Sequence, residues 1–424
     1  MLNVALATVL FRTESKHAFH QESRSSEIAE AAIAKFVGIN DCELPSTKTV
    51  DDVLCRLDYQ EVNDVLMNLF DNLRKSKLFT SHPGLIPRGM YHLALDAETV
   101  HKYTNDSDHN CAQCPHCLKR QRGDDIWYLH MHVTASIVCP GGIRIPLYVY
   151  PVHATSLNIK ENDSQETFKQ ECELSSLPII LKAIRKRFPK LYFCVLLDSL
   201  YANGPSMKIL EMNNMEWGIV RKNGSMKTVG QDCDGLAKLE GHTKTNYLEE
   251  NMVISGKKTK RVYEFFNEVG YQDQKLNILR FNEWTFDQNG QEEFHVYWEW
   301  IVSWKLTKKN VVQTAAQGRL RWLEEDLFNT LKNRGFKIKH DYSRNPSAQL
   351  IWFILINIAF LISELFSRLR RVVPIKKMRS LKDFMKSLFH ELRCVGQRVL
   401  EIAMLRNRGQ FRYIFDKLST SKSR

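Results

Sequence analysis

The sequence predicts an α/β protein: a mixed-sheet core preceded by a helical region, interrupted by a β-rich insertion and followed by a basic helical tail. Three observations predict it. Two apolar runs, GMYHLAL and LYFCVLL, stop abruptly at Asp96 and Asp198, as buried strands do where they leave a sheet. Apolar positions recur at helical spacing in 25–36, 60–78 and 166–187. Strand-like segments crowd 216–220, 275–286 and 293–305. The units that follow are 1–85 (helical), 86–205 with 311–366 (core), 206–310 (insertion) and 367–424 (tail).

Taken in order, the start MLNVALATVLFRT is apolar but has no basic leader and no small-residue cleavage site, so it reads as structure and not as a targeting segment. Strands are expected at 90–96, 127–138 and 143–150, the last two joined by the turn Pro140-Gly141-Gly142. The helix at 166–187 is expected to break at Pro178. Residues 192–197 carry neither charge nor alternation, the pattern of a strand covered on both faces, and Asn203-Gly204-Pro205 then forces a turn. The 126 residues between Asp198 and Glu325 are too many for a crossover connection, hence the insertion. The longest apolar run, 350–366, is interrupted by Asn357, Ser363 and Glu364 and falls short of the roughly 20 residues that span a bilayer. It is expected to be a core helix, with no membrane partner.

Charge is concentrated at one end. From Phe366 onward, 59 residues hold 16 Lys and Arg against 4 Asp and Glu, which is the whole of the net charge of +12. Leu381, Phe384, Leu388, Leu392 and Val395 follow helical spacing there, so the tail reads as amphipathic helix able to lie along DNA phosphates; an anionic membrane surface and a merely solvated helix are the alternatives. Ten unevenly spaced cysteines point to a reducing compartment, and the absence of a glycine-rich phosphate loop excludes a nucleotide cofactor of Walker type.

Arg321, Glu325 and Lys332 are separated by three and six residues. At about 100° per residue they share a stripe roughly 40° wide on one helix, with Leu323, Leu327 and Leu331 turned to the core and Trp322 and Phe328 flanking the charges. Alone, this is an exposed ion pair contributing about 0.3–0.5 kcal/mol. Alone, each aspartate is a helix cap or turn residue. Together they differ: ligands collect at the carboxyl ends of strands in open α/β sheets, and three carboxylates suit a pair of Mg²⁺ or Mn²⁺ ions acting on a phosphodiester.

These residues resemble a DDE transposase of the bacterial insertion-sequence type, in the family-four-like branch whose signature is Tyr, two residues, Arg, three residues, Glu, six residues, Lys. Arg321, Glu325 and Lys332 match the spacing, and Asp96 and Asp198 stand where the family's two aspartates are expected. The tyrosine position is Gly318, and Asp96 is followed by Ala97-Glu98 where relatives commonly have Gly-Thr. The resemblance runs from about residue 51 to 366. It implies an RNase H-like core and metal-dependent strand cleavage and strand transfer at the ends of a mobile element, with Asp96, Asp198 and Glu325 as catalytic metal ligands. Arg321 and Lys332 would contact DNA. The implied partners are double-stranded DNA and a second copy of the chain, and the implied place is the bacterial cytoplasm at the nucleoid. A catalytically degenerate, DNA-binding descendant is the alternative. A third reading is a membrane-associated protein built on the apolar run and basic tail.

Two further groups stand out. Alternation puts Trp298, Trp300 and Trp304 on one strand face, where Trp298 and Trp304 can stack on an unpaired base at about 1–3 kcal/mol each, or simply pack a core. Cys111, Cys114 and Cys117, with His130 on the next strand, form a candidate structural zinc set; a free-thiol loop is the alternative.

Overall fold

The computed structural model describes residues 1–424 except 41–42, 105–113, 115–116, 123–124, 154–164, 223, 240, 369–379 and 395–424. The described chain begins with helices: α1 (Leu2–Leu10), α2 (Lys16–Ser23), α3 (Glu27–Phe36), α4 (Thr47–Leu54), α5 (Tyr59–Lys75) and α6 (Leu78–Ser81). Ser15, Ser26, Ser46 and Asp58 cap α2 to α5, each side chain accepting a backbone N–H of the first turn. Then follow β1 (Tyr91–Thr104), β2 (Leu118–Arg122), β3 (Asp125–Cys139), β4 (Ile143–Pro151), α7 (Gln165–Arg187), β5 (Phe193–Leu197), α8 (Gly204–Met212) and β6 (Glu216–Val220). The chain continues through α9 (Lys227–Ala237), α10 (His242–Thr245), β7 (Tyr247–Ile254), β8 (Lys257–Tyr271), β9 (Gln274–Phe286) and β10 (Glu292–Val302). It closes with α11 (Val311–Arg319), α12 (Trp322–Asn333), α13 (Pro346–Arg368) and α14 (Leu381–Cys394).

The described strands make one mixed sheet. β1, β3 and β4 form an antiparallel meander with β3 in the middle, and β2 shares β3's outer edge with β4. On its other side β1 pairs in parallel with β5, and β5 in parallel with β6. The region expected as a β-rich insertion therefore divides: its first strand, β6, lies beside β5, while β7 to β10 extend the same sheet as antiparallel strands, with β10 paired to β6. This pairing covers an edge that β6 would otherwise leave open.

Three expectations are corrected. The strand expected to stop at Asp96 is β1, which continues to Thr104 with Asp96 opposite Thr134 on β3. α7 passes through Pro178 unbroken. Leu177, Ile180, Leu181 and Ile184 are fully buried, and that burial offsets the roughly 3 kcal/mol that an interior proline costs a helix. The tail's described helix, α14, keeps its apolar stripe within the protein. Phe389 stacks on Phe11 and Phe19, with ring centroids 4.9 and 5.4 Å apart, so that stripe is seated on the amino-terminal helices. Most of the basic excess falls on residues 369–379 and 395–424, outside the described residues.

By length and composition α13 is apolar enough to cross a bilayer, and 89% of its apolar window is buried within the protein. Its interruptions are accommodated there: Asn357 Nδ2 donates to the Phe353 carbonyl at 2.9 Å, and Glu364 pairs with Arg144 of β4 at 3.1 Å. Arg144 also reaches Asp326 and Thr330 of α12, so one buried guanidinium ties both carboxy-terminal helices to the sheet.

Candidate metal-binding carboxylate site

β1 and β5 run in parallel register, with Ala94 opposite Leu196. Two residues further along each strand come Asp96 and Asp198. Continued by one pleat, the register sets the two aspartates level and on the same face, because side chains alternate with period two. The opposite face at this level, through Leu93, Leu95 and Ala97, belongs to the main hydrophobic core. Each aspartate is partly engaged by its own backbone. Asp96 accepts the Ala97 N–H at 3.0 Å, and Asp198 caps the short 3-10 turn Ser199–Tyr201 by accepting the Leu200 N–H at 2.9 Å.

The third carboxylate on this face is Glu324, not Glu325. Across from Ala94 on β3 sits Ser136, whose hydroxyl donates to Glu324 Oε1 at 3.0 Å. Thr134 on the same strand is directly opposite Asp96, so Ser136 is its diagonal neighbour on one face. Glu324 is completely buried in the first turn of α12, and its Oε2 has no hydrogen-bond partner among the described residues. Burial pushes its carboxyl well above the usual carboxylate range; the hydrogen bond from Ser136 opposes this, the Asp96 charge adds to it, and Arg144 and Arg321 pull it down. A buried carboxyl oxygen without such a partner, within the field of the Asp96 charge, fits a hard divalent cation such as Mg²⁺ or Mn²⁺.

Tyr201 closes the other side. It is fully buried, its hydroxyl has no hydrogen-bond partner among the described residues, and its acidity is suppressed first by burial and then by the charges of Glu173, Asp198 and Asp96. Glu173, on α7, is itself buried. Neither residue is marked by any spacing in the sequence. For Glu324 there was a signal: it lies three, four and seven residues before Leu327, Phe328 and Leu331, all buried, and so belongs to the inward stripe of α12.

The signature residues are placed differently from expectation. Glu325, a third exposed, pairs with Arg321, which is itself buried. Lys332 does not join them; its Nζ lies 2.7 Å from Glu98, one pleat beyond Asp96, where Lys339 approaches at 3.7 Å. At Gly318, where the signature has tyrosine, a Cβ would fall 2.5 Å from the indole of Trp300, so this packing has no room for a side chain. Trp304 is buried, donates its N–H to Thr314 at 3.1 Å and carries Arg88 over its ring, so it packs the core and offers no face to a base. Trp298 is half-buried between Trp300 and the exposed Trp322. Cys114, Cys117 and His130 converge, whereas Cys111 lies outside the described residues.

No family model and no curated protein matches the chain. Among solved structures it is similar to a piggyBac transposase, seen by cryo-EM as a synaptic complex with hairpin DNA. The TM-score is 0.40 at 13% identity, over 100% of this chain and 75% of the other. Function is therefore read from this chain's own side chains.

Proposed function

We propose that this chain is a transposase-like nuclease that cuts DNA strands and transfers them at the ends of a mobile element, with Asp96, Asp198 and Glu324 holding the divalent cations. One observation carries the proposal: two aspartates at matched positions on adjacent parallel strands, with a buried, half-satisfied glutamate directed at the same face. The strand order β4-β3-β1-β5-β6, an antiparallel meander followed by two strands parallel to its first, is that of an RNase H-like core and supports the same reading. Mg²⁺ or Mn²⁺ bound there supplies an activated water or hydroxyl and stabilises the leaving oxygen of an in-line displacement. The chain's own groups prepare the site. Ser136 orients the Glu324 carboxyl, and Arg144 and Arg321 favour its ionised form. Lys332 and Lys339, held beside Glu98, put positive charge next to the carboxylates where a DNA backbone would pass. The substrate in this reading is double-stranded DNA, handled by two copies of the chain, one per element end, in the bacterial cytoplasm.

The test is nicking of a supercoiled plasmid that carries the DNA flanking the coding sequence, in Mg²⁺ or Mn²⁺. Asp96→Asn, Asp198→Asn and Glu324→Gln should each abolish cleavage while leaving the fold and DNA binding intact. Glu325→Gln should stay within about twofold of wild type, since a partly exposed i, i+4 pair contributes only about 0.3–0.5 kcal/mol. Loss on Glu325→Gln with activity kept on Glu324→Gln would return the site to the signature spacing. Wild-type protein that binds the ends but cuts with neither metal would make the chain a degenerate, DNA-binding descendant.

A further inference from the structure

A second metal site lies on the same sheet. Cys117 immediately precedes β2, and the pairing of Leu118 with Leu129 places it across from His130 of β3. Cys114 is held to it by the Cys117 N–H, which donates to the Cys114 carbonyl at 3.3 Å. The Sγ atoms of Cys117 and Cys114 stand 3.0 and 3.4 Å from the same atom, His130 Nε2, and all three donor atoms lie within 4.8 Å of one another. Cys117 and His130 are buried, and the rings of His101 and Tyr103 meet His130 edge-on at 6.0 and 5.7 Å, which fixes its plane.

An imidazole nitrogen has one lone pair or one N–H, so it can serve one thiol by hydrogen bonding, not two. Two sulfurs and a nitrogen within reach of one point supply three of the four donors of a tetrahedral thiophilic ion, and a water or one further ligand would complete it. Bonds of about 2.3 Å to sulfur and 2.0–2.1 Å to nitrogen put a sulfur and a nitrogen about 3.6 Å apart, so the two S···N pairs need to open by only about half an ångström or less.

We propose that Cys114, Cys117 and His130 bind a structural Zn²⁺ that ties the start of β2 to β3. Binding displaces the two thiol protons to solvent and forms two Zn–S bonds and one Zn–N bond, with no redox change. His130 is four residues along β3 from Thr134, about 13 Å in an extended chain, so the ion is separate from the carboxylates and differs from them in its soft donors. The site does not depend on the nuclease reading.

Full-length protein expressed without added metal and purified under reducing, chelator-free conditions should carry about one zinc per chain by elemental analysis. Metal-free protein titrated with Co²⁺ should develop the visible bands of tetrahedral cobalt together with thiolate-to-cobalt charge transfer, a signature that an oxygen-only site does not produce. Cys114→Ser, Cys117→Ser and His130→Ala should each bring zinc below about a tenth of an equivalent, His130→Cys should retain it, and Cys55→Ser should leave it unchanged. Wild type that lacks zinc and takes up cobalt without charge transfer overturns the proposal, whatever the variants do.

Discussion

Glu324 and Glu325 are neighbours in sequence and about 100° apart around α12. That angle decides which chemistry each can have. Glu325 satisfies the signature spacing and ends in a solvent-accessible ion pair, while Glu324 enters the core with one oxygen held by Ser136. Counted from Glu324, the signature positions fall on Gln317, Leu320 and Leu331, none of them cationic or phenolic. Gly318 has its own reason for being glycine, since Trp300 occupies the space of a Cβ. Gly318→Ala should therefore destabilise the protein by about 1–3 kcal/mol through overpacking, even though alanine is the better helix former. Urea unfolding checks this, and an unchanged or raised midpoint would show that Trp300 can move aside at no cost.

At the scale of elements, the outer edge of β4 is closed by a side chain. Asn63 of α5 donates to the Val149 carbonyl and accepts the Val149 N–H, both at 2.8 Å, standing in for a neighbouring strand. Both backbone groups are buried, and each left unpaired costs about 1–3 kcal/mol, so Asn63→Leu should lose about 2–4 kcal/mol despite its greater apolarity. Hydrogen exchange should show the loss of protection centred on Val149. Protection that stays as in wild type would mean water replaces the amide without penalty. α12 depends on a comparable device, because Arg144 holds it to β4 and to α13 at once.

For the whole molecule, the charge and the fold separate. Up to residue 365 the acidic and basic residues balance, so the long-range field that would attract DNA comes from the carboxy-terminal residues. Because α14 is packed on the amino-terminal helices, the informative deletion is 395–424, which removes 7 Lys and Arg and spares the packed helix. It should flatten the slope of log K against log salt for DNA binding by about 0.9 for each phosphate that the shortened chain no longer neutralises. An unaltered slope would place the DNA-binding surface elsewhere, with Lys332 and Lys339 the first residues to replace. By itself the sequence determined the α/β class, the strand that stops at Asp198, the start of the strand that carries Asp96, and the buried character of α13, because burial writes local apolar patterns that period two or 3.6 makes readable. It also brought Cys111, Cys114 and Cys117 to notice by spacing, with His130 on the next strand, and of these Cys114, Cys117 and His130 converge among the described residues. Only the tertiary structure decided that Glu324 is the inward glutamate, that Ser136 and Arg144 act on it while Tyr201 and Glu173 lie near the aspartates, that Trp304 is core, and that the inserted strands extend one sheet. Those outcomes depend on which residues distant in sequence meet across the sheet, and a polar side chain buried against such a partner leaves no periodic trace of its own.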